Sequence, residues 1–370
     1  MLSIMEVEIK ITKRKLESLA DNAIKSAEAI NLVYVTDAEK GITRIKKRDE
    51  FIYLYNDKKV EDEEILIRIK RLVIPPAWQQ VWICAVANGH LQATGLDAMN
   101  RKQYKYHTLW NTLRNHTKFY HLFEFGKALP AIRNRLNKDL AQQTLTQEKV
   151  LAAIISLMQE TNIRIGNTMY EKLYGSFGLT TLKDKHVKIE GSNLQFSFRG
   201  KKGIYHNVSL KNKKLARIVK QCRDIPGKEL FQYYDDHGER KSIDSGMVNN
   251  YIKEISGGHF TAKDFRTWAG SLHALEAFKS LGCCDTITET KKKIVEALDM
   301  VAEQLGNTRA VCKKYYVHPS IIDHYSNNTL DKYLKLLETT QADPELSGLS
   351  AEEKVLMKML EDAGSIVIAA

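Results

Sequence analysis

The chain is poor in the features that would tie it to metal, to membrane or to oxidising surroundings. Its five cysteines are an odd number, with Cys283 and Cys284 adjacent and Cys84, Cys222 and Cys312 scattered. No CxxC pair and no Cys/His array has the spacing of a zinc site. The cysteines therefore read as reduced thiols of an intracellular protein. No apolar stretch approaches the ~20 residues that a bilayer-crossing helix needs. The opening MLSIMEVEIKITKRK interrupts its apolar run with charge too early for a signal peptide. There is no GxxxxGK[ST] loop to cradle nucleotide phosphates and no carboxylate cluster suited to magnesium. Internal repeats and long low-complexity tracts are missing too. These absences leave a soluble protein, expected in the cytoplasm.

What the chain has in excess is positive charge. A net charge of +11 and a pI near 9.2 favour a polyanionic partner, because neutralising phosphates releases counterions. Charge by itself also fits a merely solvated basic surface. With 370 residues and 43% hydrophobic content, the chain is long enough for two packed domains and a tail.

The pattern changes along the chain. Residues 1 to about 30 look like a short strand followed by a charged helix. Between Gly41 and Tyr106 the short runs FIYLY (51–55), VWICAV (81–86) and HLQATG (90–95) are separated by turn chemistry such as Asn56-Asp57 and Asn88-Gly89. Pro75-Pro76 breaks what precedes it, and Trp78 is expected to fill core. Helical segments begin near His107, which places a domain boundary at about residue 110. The segment TQEKVLAAIISLMQE (146–160) is apolar on most faces, as a buried central helix should be. A hairpin follows over 186–198, turning at Gly191-Ser192-Asn193. A second turn, Gly200-Lys201-Lys202-Gly203, leads into the strand IYHNVSL. Ile294, Val295, Leu298, Val301, Ala302 and Leu305 mark a helical stripe. After about Asp331 the chain reads as a charged helical stretch and a loose tail. The fold class expected is α+β, with a β-rich domain over 1–110, a mainly helical domain with a small β-hairpin sheet over 111–330, and a helical tail over 331–370.

Four segments could carry chemistry. LGNTRAVCKKYYVHP (305–319) ends a helix at Gly306, places an amide at Asn307, and presents Tyr315 and Tyr316 among Lys313 and Lys314. A phenol with a reference pKa of about 10 needs cationic neighbours to become a nucleophile. Of two adjacent tyrosines, at most one points into a site. Arg164, in ETNIRIGN, is flanked by Ile163 and Ile165 at the end of the buried helix. It is either paired with Glu160 or a fixed fork for phosphate. Arg266, in TAKDFRTWAGSLHAL, follows the capping-box spacing of Thr261 and Asp264. Phe265, Trp268, Ala269 and Leu272 form the buried side of that helix, and a cation near its positive end calls for an anion. Lys201 and Lys202 sit on a glycine-bracketed turn, where either could be surface decoration or a cationic acid. Together these residue types meet the needs of phosphodiester cleavage by tyrosine: a nucleophile, guanidinium groups for the non-bridging oxygens, and an acid for the leaving 5′ oxygen.

In these segments the chain resembles the type IB DNA topoisomerases, specifically the small bacterial and poxvirus-type enzymes. The resemblance covers most of residues 41–325. It rests on RIGN (164–167) followed by Tyr170 and GLTTLKDKHV, on FRGKKG around Lys201, on KDFRTWAG around Arg266, and on LGNTRAVCKKYYVHP. PPAW and RKQYKYH are similar to the family's amino-terminal domain. The resemblance implies a catalytic domain of the tyrosine recombinase and type IB topoisomerase fold behind a β-rich DNA-clamp domain. It implies Tyr316 as the nucleophile that forms a 3′-phosphotyrosyl bond, selected over Tyr315 by its nine-residue interval from Asn307. Arg164 and Arg266 would clamp the phosphate, and Lys201 would be the general acid. Asn307 stands where many relatives have a histidine, and both can donate a hydrogen bond to a non-bridging oxygen. Gln103, Tyr104 and Tyr106 would touch DNA in the major groove, with Tyr170 and Lys263 as further DNA contacts. The implied reaction is reversible transesterification that relaxes supercoils without ATP, metal or other cofactor. Its partner would be double-stranded DNA, bound by a monomer at the nucleoid.

A tyrosine recombinase or integrase is the competing reading. Such enzymes usually carry a histidine where this chain has Lys263, and their amino-terminal domain is usually helical. A catalytically dead DNA-binding module is a further alternative, although all five catalytic-type positions hold competent residues.

Overall fold

The turns of the first hundred residues set their sheet. Asn56 and Asp57 both take left-handed backbone, with φ of 48° and 61°, the pair of conformations that a two-residue hairpin needs. They join β3 (Glu50–Tyr55) to β4 (Lys58–Lys59) in a six-stranded antiparallel sheet completed by β2 (Ile42–Lys47), β5 (Gln79–Ile83), β6 (Leu91–Leu96) and β7 (Lys102–Tyr106). The order is β4-β3-β2-β5-β6-β7, which leaves β7 at an edge. The run expected over 81–86 begins earlier and stops at Ile83. The computed structural model describes residues 8–11, 19, 22–48, 50–284, 286–345, 347–362 and 366–369. The charged helical stretch expected after the first strand falls partly outside them.

Two compact units emerge, Met1–His121 with Gly364–Ala370, and Leu122–Ala363. In the first, β1 (Glu8–Ile11) pairs antiparallel with the strand Ile366–Ala369, and α1 covers Ala23–Glu28. Helix α2 (Glu63–Arg71) is capped by the Asp62 carboxylate, which accepts from the amides of Glu64 and Ile65 at 2.8 and 3.2 Å. Its Ile69 packs with Ile42, Val60, Val81, Ile83 and Ala93, and each such side chain fully removed from water contributes roughly 2 kcal/mol. Trp78 packs partly buried against the same cluster.

Helix α3 (Thr108–Leu140) runs unbroken for 33 residues from the first unit into the second. The boundary expected near residue 110 thus meets the start of a helix rather than a linker. The composition shift there marks a change of secondary structure, whereas the change of packing partners comes a few turns later.

In the second unit, α4 (Gln147–Thr161) is the central element. Thr146 caps it by accepting from the Lys149 amide at 3.2 Å. Val150 through Ile155, Leu157 and Met158 are all buried, as an all-round apolar helix requires. There follow α5 (Thr168–Tyr174), an antiparallel sheet of β8 (Val187–Glu190), β9 (Asn193–Arg199) and β10 (Tyr205–Lys211), then α6 (Lys213–Arg223). A hairpin of β11 (Gln232–Tyr234) and β12 (Arg240–Ser242) precedes the helices α7 (Ser245–Ser256), α8 (Ala262–Leu281), α9 (Ile287–Leu305), α10 (Arg309–Tyr315), α11 (Pro319–Ser326), α12 (Asp331–Thr339) and α13 (Ala351–Asp362). The architecture is α+β.

The tail is not loose. Val355, Leu356, Met359 and Leu360 of α13 are buried. The buried carboxylate of Glu353 takes a fork from Arg133 at 2.9 and 2.6 Å and the indole N–H of Trp268 at 2.9 Å. A buried carboxylate is tolerable when its oxygens are satisfied in this way. The charged composition of the segment had disguised its apolar face.

Candidate active site

Helix α8 begins at the box expected from sequence, where the Asp264 carboxylate accepts from the Thr261 amide at 2.8 Å and hydroxyl at 2.9 Å. Arg266 follows one turn in and is only 5% exposed. Its Nη2 donates to the Leu305 carbonyl at 2.8 Å, and its Nη1 donates to the Asn162 carbonyl. These acceptors lie at the ends of α9 and α4, which stop at the left-handed residues Gly306 and Asn162, both with φ of 56°. Carbonyls at a helix C-terminus lack intrahelical donors, and the negative end of the helix dipole favours a cation. The guanidinium answers both needs.

Arg164, two residues beyond Asn162, reaches the same place. Its Nη2 donates to the Gly306 carbonyl at 3.3 Å and to Asn307 Oδ1. The pairing with Glu160 does not form, and neither arginine has a carboxylate partner among the described residues. Burial, then the charge of Arg164, pulls Arg266 down to about 10, with Tyr316 acting the other way. Burial lowers Arg164 as well, again countered by Tyr316. Both guanidinium groups stay charged at neutral pH. A buried and a half-buried cation without a carboxylate make a site that lacks an anion. Arg266 Nε and Asn307 Nδ2 are buried without a protein acceptor, and of the two residues Arg266 lines the cavity described below.

Tyr316 closes α10, its amide donating to the Cys312 carbonyl at 2.9 Å. Its backbone docks on α8 at Gly270, where a Cβ would lie 2.6 Å from the Tyr316 carbonyl oxygen. The Ser271 hydroxyl donates to that carbonyl at 3.4 Å and accepts from the His318 amide at 3.1 Å. Gly270 is one turn beyond Arg266 on the same helix. The docking therefore brings the tyrosine ring to Arg266, whose Cζ lies 5.3 Å from the ring centroid. Tyr315 is instead exposed beneath Lys314, whose Nζ lies 5.3 Å from its ring.

A cavity of about 400 Å³ gathers Arg164, Lys201, Arg266, Tyr316, Tyr170 and Lys263 along its lining. The structure separates Lys201 from Lys202, which local sequence had left equivalent. Lys201 lines this cavity and Lys202 does not. Lys202 takes the left-handed φ of 62° within the turn, and Lys201 Nζ lies 5.9 Å from the Tyr170 ring. Asn307 is not in the lining and touches the site through Arg164. Gln103, Tyr104 and Tyr106 are not gathered here, because they lie on β7 of the other unit. There Tyr104 and Tyr106 stack with centroids 5.9 Å apart, and Gln103 Nε2 donates to Asp97 at 2.8 Å.

Sequence reading had missed Asn162, Gly270 and Ser271. The asparagine at the end of an apolar helix was a visible left-handed cap signal, and the small pair Gly270-Ser271 was a visible sign of close approach. The carbonyl acceptors carried no signal, since every residue has one. Among the described residues no group of His, Cys, Asp or Glu could hold a metal ion, and no helix is long and apolar enough to cross a membrane.

Paired guanidinium groups, a lysine and a tyrosine around one anion-seeking cavity define the class, an enzyme acting on the phosphodiester backbone of nucleic acid. Comparison with known proteins narrows it. Residues 105–342 match the model of the eukaryotic DNA topoisomerase I catalytic core, and residues 50–97 match that of the bacterial DNA topoisomerase IB N-terminal domain. The chain is 33% identical over 302 residues to the DNA topoisomerase 1B of Acanthamoeba polyphaga mimivirus, covering 78% of this chain and 88% of that relative. It is 25% identical over 271 residues to the DNA topoisomerase 1B of vaccinia virus (strain Copenhagen), covering 70% and 82%. The chain belongs to the type IB DNA topoisomerases.

Proposed function

We propose that Tyr316 attacks a scissile phosphorus of duplex DNA in line, forming a 3′-phosphotyrosyl bond as the P–O5′ bond breaks. Arg164 and Arg266 hold the non-bridging oxygens, joined by the amide of Asn307, and each such donor is worth roughly 3 kcal/mol to a transition state that gathers charge there. Lys201 gives a proton to the departing 5′ oxygen, and the phenol loses its own to solvent. Religation reverses these steps. One phosphodiester replaces another of similar energy, so the exchange needs neither ATP nor metal. While the strand is open its free end rotates and supercoils relax.

The observation that carries this reading is the one cavity lined by Arg164, Lys201, Arg266 and Tyr316, drawn from four separate segments. We assign the second unit to the tyrosine recombinase and type IB catalytic fold, and the first to the DNA clamp. Tyr170 and Lys263, on the cavity lining, contact the strand. Gln103, Tyr104 and Tyr106 reach DNA from their edge strand, where the exposed pair of stacked tyrosines supports the assignment. The protein acts as a monomer in the cytoplasm, on the nucleoid.

The test is relaxation of a supercoiled plasmid without ATP or magnesium, with mapping of the residue that stays on the 3′ end. Relaxation with Tyr316 labelled is expected. A label elsewhere, or strand exchange between duplexes without relaxation, would overturn the reading.

A further inference from the structure

One imidazole lies between the two turns that carry Lys201 and Asn307. His206 sits on β10 opposite Phe198 of β9 and stacks on its ring, with centroids 5.1 Å apart and planes 18° from parallel. Its edge faces two glycines. A Cβ on Gly200 would fall 2.5 Å from His206 Cδ2, and a Cβ on Gly306 would overlap Cε1. Gly200 immediately precedes Lys201, and Gly306 immediately precedes Asn307. The backbone at Gly200, with φ of −94°, is open to any residue, so the His206 ring is the reason for glycine there. Burial lowers the imidazole pKa, and the charges of Arg164 and Arg266 lower it further. Both effects favour the neutral ring.

We propose that His206 is a positioning residue, a strut that sets the Lys201 turn at a fixed distance from the Gly306–Asn307 turn. The role is distinct from touching DNA. Phe198 holds one face of the ring, and the two glycines let both turns close against its edge. Without the ring, the hairpin tip loses its stop against the end of α9, and the ammonium no longer meets the leaving oxygen. This inference rests on Lys201 being the general acid.

The experiment compares single-turnover cleavage by wild type, Lys201→Ala, His206→Ala and His206→Phe. Each is given ordinary DNA and DNA with sulfur in place of the scissile 5′ oxygen, a leaving group that needs no acid. His206→Ala is expected to slow cleavage of ordinary DNA by ~10²-fold, the size of effect that misplacing a reacting group by an ångström produces. DNA affinity should not change, which also reports an intact fold. Sulfur should restore both alanine variants to within about threefold of wild type, since the defect lies in a transition-state proton transfer. His206→Phe, which keeps a flat ring, should stay close to wild type.

Rescue of Lys201→Ala without rescue of His206→Ala would overturn the strut and leave the acid in place. A wild-type rate for His206→Ala, or a His206→Phe variant as slow as alanine, would do the same. Failure of sulfur to rescue Lys201→Ala would remove the acid role and this inference with it. Gly200→Ala should be damaging in the wild type and nearly silent in His206→Ala, because the two changes act on one contact. Additive effects would contradict it.

Discussion

Arg266 donates a 2.8 Å hydrogen bond from Nη2 to the carbonyl of Leu305, the last residue of α9. Through this bond and its second one to the Asn162 carbonyl, the side chain ties the ends of two helices together while leaving Nε without a protein acceptor. One planar group thus supports the fold and faces the cavity. A lysine cannot do both, since its single nitrogen lacks the fork. Arg266→Lys is expected to slow formation of the covalent adduct by ~10²–10³-fold, the usual cost of losing one oxyanion donor. It should also lower the melting temperature, as a buried carbonyl loses its donor. Single-turnover cleavage and thermal unfolding check both parts, and a wild-type cleavage rate would show that the fork is dispensable.

The two neighbouring tyrosines should separate cleanly. Tyr316 docks on Gly270 and meets Arg266, whereas Tyr315 is exposed. Tyr316→Phe is expected to abolish the 3′ adduct and keep DNA binding, and Tyr315→Phe to leave both intact. Denaturing gels of trapped complexes decide it. An adduct persisting in Tyr316→Phe would remove Tyr316 from the chemistry.

Asn307 offers a trade between stability and activity. A carboxylate there would sit against Arg164 and give the two cations the counter-charge they lack. Asn307→Asp is expected to raise stability by about 1 kcal/mol while slowing cleavage ~10²-fold, because a site completed internally rejects the phosphate. Denaturant unfolding and cleavage rates measure the two arms. Loss of both together would argue against the charge explanation.

Glu353 supplies a pH dependence. Burial acts to raise its pKa, but the hydrogen bonds and charge of Arg133 outweigh that and hold it below the ordinary value of 4.5. A carboxyl depressed on folding contributes stability that is complete above its unfolded pKa and fades as pH falls through the folded one. Glu353→Gln should therefore cost ~3 kcal/mol at pH 7, a figure typical of breaking a buried pair. The gap to wild type should narrow below pH ~4. Urea unfolding from pH 7 down to pH 3 checks this, and a gap constant over that range would rule out the ion pair as its cause.

Much of the architecture was legible in the sequence because it is local. The all-round apolar stretch before Asn162 is α4, the Gly-bracketed runs after His186 are β8 to β10, and the stripe ending at Leu305 lies on α9. The candidate site was legible as far as residue types and intervals go: a glycine-stopped helix, an amide at Asn307, tyrosines beyond it, one arginine just past the end of a helix and another in the first turns of a second. Spacing along the chain carried that information, since side-chain type and periodicity are written residue by residue.

Only the tertiary structure decided which groups meet. It put Lys201 rather than Lys202 on the cavity, took Arg164 away from Glu160, and placed His206 between the glycines that precede Lys201 and Asn307. It turned a charge-rich tail into a helix whose Glu353 finds Arg133, 220 positions away. The acceptors that hold the arginines are the backbone carbonyls of Asn162, Leu305 and Gly306. A carbonyl has no residue-type signature, and it becomes a site only when packing brings the ends of separate helices to one guanidinium.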